Sequence, residues 1–280
     1  MLGGRAIAKK CFPLTYGEIT SDGLEFDLLK AMRNGLIPSH YLEENETKQL
    51  LNGYILKYLD LEIKQQGLVR KTASFTRFMD SLRYSNAELV NYTSIAKDYS
   101  VSAVTVKEYY QILCDTLIGT YLYPLQGANK RTSIYATPKF YLFDIGIANS
   151  ISKTYIADLK STDAGKSFEH FIYLELLAYN SYRDKFVDIN FWRTKHGVEV
   201  DFIISEYKKI KVAIECKLTS NIRERDLKGI NAFAEEHDAE KLIIVCQESS
   251  FLSMKTKSNK EVLIMPWQEL LTDLWNDKIF

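Results

Sequence analysis

The sequence predicts an α/β protein whose helices gather early and whose sheet comes late. Three observations carry this. Residues 24–85 hold apolar residues at helical spacing with no alternating stretch. Residues 86–151 give two short helices and then two strand-like pieces around a polar turn. From 152 onward the order is helix, three strands, helix, strand, with a further strand and helix at the end. The corresponding divisions are a helical subdomain at 1–85, a winged helix-turn-helix at 86–151 and an αβββαβ domain at 152–280.

Taken in order, residues 1–20 are short apolar pieces broken by Gly3-Gly4 and Pro13, and 24–36 read as a helix stopped by Gly35 and Pro38. Glu46 to Gln66 spaces Leu50, Leu51, Tyr54, Ile55, Tyr58, Leu59 and Ile63 as one helix face. Thr72 or Ser74 is placed to cap the next helix, through FTRFMDSLRY. Thr93 is read as the cap of SIAKDY and Ser102 as the cap of AVTVKEYYQILCDT, followed by TYLYPL and SIYATPKFYLFD as a hairpin. Two short helices and a hairpin make a winged helix-turn-helix. In its DNA-reading form the second helix enters the major groove and the wing touches phosphates. The exposed positions of that helix carry one positive charge, Lys107, so Lys130 and Arg131 at the wing tip are the phosphate candidates. The same module also serves as a protein-docking surface.

Asp144 is read as the cap of a short helix, and the polar run 152–164 as a linker. The helix GKSFEHFIYLELLAYN follows, then strands at about 187–194, 198–204 and 210–217, a helix at about 223–236, strands KLIIVC and VLIMP, and a helix from Trp267 to Trp275.

Composition narrows the function classes. The chain has 280 residues with 36 basic and 36 acidic groups, so bulk charge does not recruit polyanions, although a local basic groove remains compatible. Its four cysteines are scattered, without a zinc-type cluster, which fits reduced thiols inside a cell. There is no stretch of eighteen apolar residues and no signal-peptide pattern, so a cytoplasmic protein with no membrane partner is expected. No G-x-x-x-x-G-K-[ST] motif occurs, and no ATP site is expected.

The chemistry concentrates in VEVDFIISEYKKIKVAIECK, Val198 to Lys217. Asp201, Glu215 and Lys217 interrupt two otherwise apolar strands, and alternation puts Glu215 and Lys217 on one face. Two readings fit: a divalent-metal site, or a salt-bridge ladder on a half-exposed sheet.

With that motif in place, the last section resembles the restriction-endonuclease-like PD-(D/E)XK nuclease superfamily. Its core order is αβββαβ, with an acid opening the second strand and (D/E)-x-K on the third. Asp201 and Glu215-Cys216-Lys217 match it, Glu169 stands on the preceding helix, and the spacing is similar to that of archaeal Holliday-junction resolvases. The resemblance implies catalytic roles for Glu169, Asp201, Glu215 and Lys217, with Asp201 and Glu215 as ligands of Mg²⁺. Trp192, Arg193, Lys195 and His196 lie at a turn beside them, and Arg193 and Lys195 join Lys130 and Arg131 as nucleic-acid contacts.

A second resemblance spans most of the chain. LGGRA…FPLTYGEI, SVSAVTVKEYYQILCDTLI, PKFYLFDIGI and FEHFIYLEL…FWRTKHGVEVDFII…AIECK resemble a prokaryotic AAA+ ATPase family that carries a C-terminal domain of unknown function, DUF4143. The resemblance implies the C-terminal portion of such a protein, without the ATPase core. Two functions follow as expectations. One is a Mg²⁺-dependent nuclease on branched or single-stranded DNA, working with an ATPase or other protein partner. The other is a non-catalytic nuclease-like and winged-helix module that binds DNA or protein.

Overall fold

A computed structural model describes residues 9–43, 45–55, 72–126 and 137–280. Thr15 opens the first helix, α1 (Tyr16–Ser21), with a reciprocal cap: its hydroxyl accepts from the Glu18 N–H and its own N–H donates to Glu18. Asp27 caps α2 (Leu28–Asn34), and α3 (Pro38–Tyr41) begins at the proline that closes off the preceding helix. Next come α4 (Thr47–Gly53) and α5 (Thr72–Ser81). The predicted helix from Glu46 to Gln66 is seen as α4, and its continuation through 56–66 lies outside the described residues.

A two-residue strand β1 (Glu88–Leu89) leads to α6 (Tyr92–Asp98), α7 (Ala103–Asp115), β2 (Gly119–Pro124), β3 (Lys139–Leu142) and α8 (Ile145–Ser152). Ser102 and Asp144 cap α7 and α8 as expected. The cap of α6 is Asn91, whose side chain accepts from the Ser94 N–H, so Thr93 lies inside the helix. The helix starts two residues earlier than expected because the Asn91 amide oxygen reaches the third helical N–H from the end of the preceding extended segment.

The last section runs α9 (Thr162–Tyr182), β4 (Asp188–Arg193), β5 (Glu199–Glu206), β6 (Lys209–Cys216), α10 (Lys228–Glu236), β7 (Lys241–Cys246), β8 (Leu252–Lys255), β9 (Glu261–Pro266) and α11 (Trp267–Trp275). All these strands join one mixed sheet in the order β1-β3-β2-β4-β5-β6-β7-β9-β8. The β2–β3 hairpin is therefore continuous with the later strands. Tyr123 and Pro124 of β2 pair in parallel with Asn190 and Phe191 of β4.

Alternation along the strands sorts side chains to two faces. Phe202, Ile204, Val212, Ile214, Ile243 and Val245 face α9 and α11, whose Phe168, Phe171, Ile172, Leu270 and Leu274 complete that core. The N-terminal helices enter the same core through Ile19, Leu28, Met32 and Tyr41. On the other face Ile203, Ala213, Leu242 and Ile244 pack on Leu227, Ile230 and Phe233 around α10. A third core sits around α5, α6 and α7 with Phe140 and Leu142 of β3. Among the described residues no helix is long and apolar enough to cross a membrane.

Candidate functional site

Two local irregularities build the site. The first is a bulge between β4 and β5. Asn190 pairs with Ile203 and Trp192 with Val200, so Phe191 alone stands opposite Asp201 and Phe202. The extra residue changes the direction of the neighbouring side chains. Val200 points to the α10 face and Phe202 to the α9 face, and Asp201 is released beside α9.

The second irregularity is where β5 and β6 stop pairing. The last regular pair at this end is Phe202 with Ile214. Beyond it, the Cys216 N–H donates to Asp201 Oδ2 at 2.8 Å. A side-chain carboxylate thus stands in for a ladder carbonyl, which fixes Asp201 at the fork between the strands. The Lys217 N–H in turn goes to the Val245 carbonyl, so the strand end stays anchored to β7.

Glu169 faces this fork from α9. Its Oε1 accepts from Lys139 Nζ at 2.8 Å and from the Tyr141 hydroxyl at 2.5 Å. Lys139 also pairs with Glu199 Oε1, and the other oxygen of Glu199 takes Arg193 Nη1 at 2.7 Å. One carboxylate oxygen from each of Glu169, Glu199 and Asp201 lies within 4.8 Å of the others. Glu215 stands apart from that trio. Its Oε1 accepts from Lys217 Nζ at 2.6 Å, while its Oε2 is buried with no hydrogen-bond partner among the described residues. It lies against the start of α10, where a Cβ on Gly229 would come within 2.9 Å of Oε2 and 2.1 Å of the Glu199 carbonyl oxygen. Glycine is required here because helix and sheet backbones approach too closely for a side chain.

The electrostatics follow from this crowding. Burial, then the charges of Glu169 and Glu215, holds the Asp201 carboxyl well above the usual carboxylate range, against the opposing pull of Lys139 and Lys217. Burial pushes Glu215 up to about 7, although Lys217 favours its charged form. Burial works against the charge on Lys139, but Glu169, Asp201 and Glu199 outweigh it and raise the ammonium above its ordinary value. The same opposition raises Lys217, through Glu215 and Asp201. The Cys216 thiol is pushed up by burial and then by the neighbouring carboxylates.

A cavity of about 350 Å³ opens over the fork. Glu169, Asp201, Cys216 and Lys217 line its inner part, and Lys160, Ser161 and Lys166 its rim, at the beginning of α9. The structure therefore brings Glu169, Asp201 and Lys217 to one cavity, with Glu215 behind Lys217. Lys195 is exposed in the turn that closes at Gly197. Trp192, in contrast, is buried against Phe233 and His237, a core residue and not part of a contact surface. Lys130 and Arg131 lie outside the described residues. His170 is fully buried and neutral in its surroundings: Nε2 donates to the Leu142 carbonyl at 2.6 Å, and burial lowers its pKa to about 4.

Sequence reasoning missed Glu199, Lys139 and Tyr141. Glu199 carried a signal, since VEVD places acids two residues apart on one strand face. Lys139 carried a weaker one, a lysine opening an otherwise apolar strand that is itself 4% exposed.

Three carboxylates, Glu169, Glu199 and Asp201, thus place hard oxygens in one another's vicinity, two of them already held by Lys139.

Comparison with known proteins places these elements. Residues 25–158 match a family described as a domain of unknown function, DUF8612, and residues 164–269 match another, DUF4143. The chain is similar to uncharacterized proteins of Mycobacterium bovis and Mycobacterium tuberculosis, each 26% identical over 193 residues, or 68% of this chain and 42% of theirs. It thus spans about two fifths of the length of these curated relatives. No solved structure matches. The carboxylates and Lys217 accordingly lie in a DUF4143 domain, which this chain carries behind a DUF8612 region that supplies Lys139.

Proposed function

We propose that the DUF4143 domain is a nuclease-like module that hydrolyses phosphodiester bonds in DNA with the help of Mg²⁺. The observation that carries this reading is the meeting of Glu169, Asp201 and Lys217 in one cavity, at the fork of two strands, under a rim of lysines. Glu169, Glu199 and Asp201 would hold the cation, which when bound supplies acidification of a water and neutralisation of phosphate charge. Glu215, which sequence reasoning placed among the ligands, instead orients Lys217 through their 2.6 Å contact. Lys217 is 34% exposed at its side chain and reaches the cavity, where it would pair with a phosphate oxygen as charge builds in the transition state. Lys160 at the rim would hold the flanking backbone, while Lys166 beside it is paired with Glu88. Asp201 stays fixed by the Cys216 N–H, so a carboxylate oxygen faces the cavity without a search over rotamers.

The order of α6, α7 and the β2–β3 hairpin supports a winged helix beside this module, as a second contact to DNA or as a docking face for a protein partner such as an ATPase. A non-catalytic reading has one observation in its favour: Lys139 already bridges Glu169 and Glu199, as a structural ion-pair network would.

Cleavage separates the two. Incubated with Mg²⁺ or Mn²⁺, the protein is expected to nick branched or single-stranded DNA, and Lys217→Ala is expected to slow that by roughly 10²–10³-fold, the usual cost of one transition-state donor. Absence of metal-dependent cleavage on any DNA form, from protein with a folded circular-dichroism spectrum, rejects the nuclease reading.

A further inference from the structure

Lys139 is the least expected member of the site. It comes from β3, in the DUF8612 region, and crosses into the acidic cluster of the DUF4143 domain. It is 4% exposed, so burying its ammonium requires close compensation. Compensation comes from Glu169 at 2.8 Å and from Glu199, two of the three carboxylates that converge in the site. The Phe191 ring, 5.6 Å from the ammonium, closes another side. Tyr141, two residues on and on the same face of β3, donates to the Glu169 oxygen that Lys139 uses and so turns that carboxylate toward the lysine. Backbone pairing holds the lysine in place: β3 is hydrogen-bonded on both sides, with Lys139 opposite Leu89 of β1 and Leu122 of β2.

Charge decides what this arrangement does. Four carboxylates (Glu169, Glu199, Asp201, Glu215) face three cations (Lys139, Lys217, Arg193), and the ammonium of Lys139 holds one oxygen each of Glu169 and Glu199, two of the three carboxylates that converge. An ammonium and a divalent cation held by the same two carboxylates repel each other in a buried setting. We propose that Lys139 is a built-in counter-ion which competes with a divalent cation for Glu169 and Glu199, and so sets how tightly the site holds that cation. This rests on the metal-dependent reading above. In the cation's absence Lys139 keeps the acidic cluster folded. When a cation binds, the lysine must give up at least one of its two carboxylates. The site is thereby tuned toward weak, exchangeable binding of a divalent ion and away from permanent occupancy.

The test is direct titration of Mn²⁺ into the full chain, read by the loss of the free-ion paramagnetic signal and by calorimetry, neither of which depends on cleavage. Lys139→Met is expected to bind Mn²⁺ about tenfold more tightly than the unaltered protein, the scale of one like charge removed from a partly buried site. Lys139→Arg keeps the charge and is expected to bind no more tightly than the unaltered protein. A lysine with a merely structural role predicts the opposite sign, since its loss would loosen the carboxylates and weaken binding. Equal or weaker Mn²⁺ affinity in Lys139→Met, with an unchanged circular-dichroism spectrum, overturns the counter-ion role while leaving the metal site standing. No Mn²⁺ binding by any of the three proteins overturns both. Where the methionine variant does not fold, Lys139→Gln takes its place: tighter Mn²⁺ binding supports the counter-ion role, and equal or weaker binding overturns it.

Discussion

Glu169 and Glu175 stand six residues apart on one helix, the first half-buried and the second buried, and they do different work because their partners differ. Glu175, in the second half of α9, is a lone carboxylate between neutral donors. The Tyr16 N–H reaches one oxygen at 2.6 Å and the Trp275 indole N–H the other at 2.8 Å. It ties α1 and α11 onto α9. Glu169, in the first half, is met by an ammonium and a phenol, converges with Glu199 and Asp201, and lines a cavity. A buried carboxylate whose oxygens are each given a neutral donor is a fastening. One that shares its cations with other carboxylates keeps unspent charge, and unspent charge can act on a ligand.

The largest expected effect is on activity, and it falls on one end of the helix. Glu169→Gln is expected to lower metal-dependent nicking by roughly 10²-fold, the scale for losing one aligned electrostatic group. Glu175→Gln is expected to leave nicking per folded molecule unchanged. Equal losses from both, with folding confirmed, would remove the distinction between the two ends.

Next is Gly229→Ala, which acts on the site from the α10 side. Its Cβ would sit 2.1 Å from the Glu199 carbonyl oxygen, a backbone atom that cannot rotate away. The helix start must shift, at a cost of about 1–3 kcal/mol, the range for overpacking a filled space. Chemical denaturation is expected to show that loss together with weaker Mn²⁺ binding, because Glu199 moves with its backbone. Unchanged stability would mean that α10 is free to ride outward.

Glu175→Gln is expected to cost about 1–2 kcal/mol, since an amide offers one acceptor to two donors and leaves one of them unsatisfied. Its pH dependence sharpens the contrast. Burial raises the Glu175 carboxyl from 4.5 to about 7, opposed by the bonds from Tyr16 and Trp275. Between those two values the folded state holds a proton that the unfolded state has released. This group's contribution is therefore fully present below about 4.5 and is lost as pH rises through about 7. Urea midpoints across that window are expected to fall more steeply with rising pH in the unaltered protein than in Glu175→Gln. Parallel curves would show that Glu175 does not titrate there.

The two ends were unequally legible in sequence. The strand and helix segments KLIIVC and Trp267–Trp275 have the bounds that alternation and helical spacing gave, and the α/β class follows from them. Asp201, Glu215 and Lys217 announced themselves as charges in apolar strands, a signal that depends on each strand alone. Lys139 gave the weaker form of that signal and no hint of its partners, because its placement depends on β2 joining β4 through only two residue pairs, Tyr123 with Asn190 and Pro124 with Phe191. Lateral pairing between distant strands leaves no periodic trace in either one. The bulge at Asp201 is similarly silent, since VEVDF alternates without a break, and unbroken alternation gave no sign that Asp201 and Phe202 would share one partner. Glu175 was equally hidden, because a carboxylate satisfied by two helices far apart in the chain looks from sequence like any polar position on a helix.

The smallest effect tests the charged surroundings of the two ends. Lys195 is exposed in the turn after β4, beside Arg193, which is already held by Glu199. Lys185 follows the far end of α9 and is paired with Asp277 at 2.8 Å. If nucleic acid lies along the cavity, Lys195→Ala removes one phosphate contact. It is expected to weaken DNA binding a few-fold and to lower the slope of log affinity against log salt by about one, with stability changed by less than about 0.5 kcal/mol. Lys185→Ala should leave affinity and salt slope alone, because its charge is spent on Asp277 and the cavity lies at the other end of the helix. Fluorescence anisotropy at several salt concentrations reads both. A salt slope altered by Lys185→Ala and not by Lys195→Ala would move the nucleic-acid path to the end of α9 that Glu175 fastens, and the cavity would lose its claim to be where DNA binds.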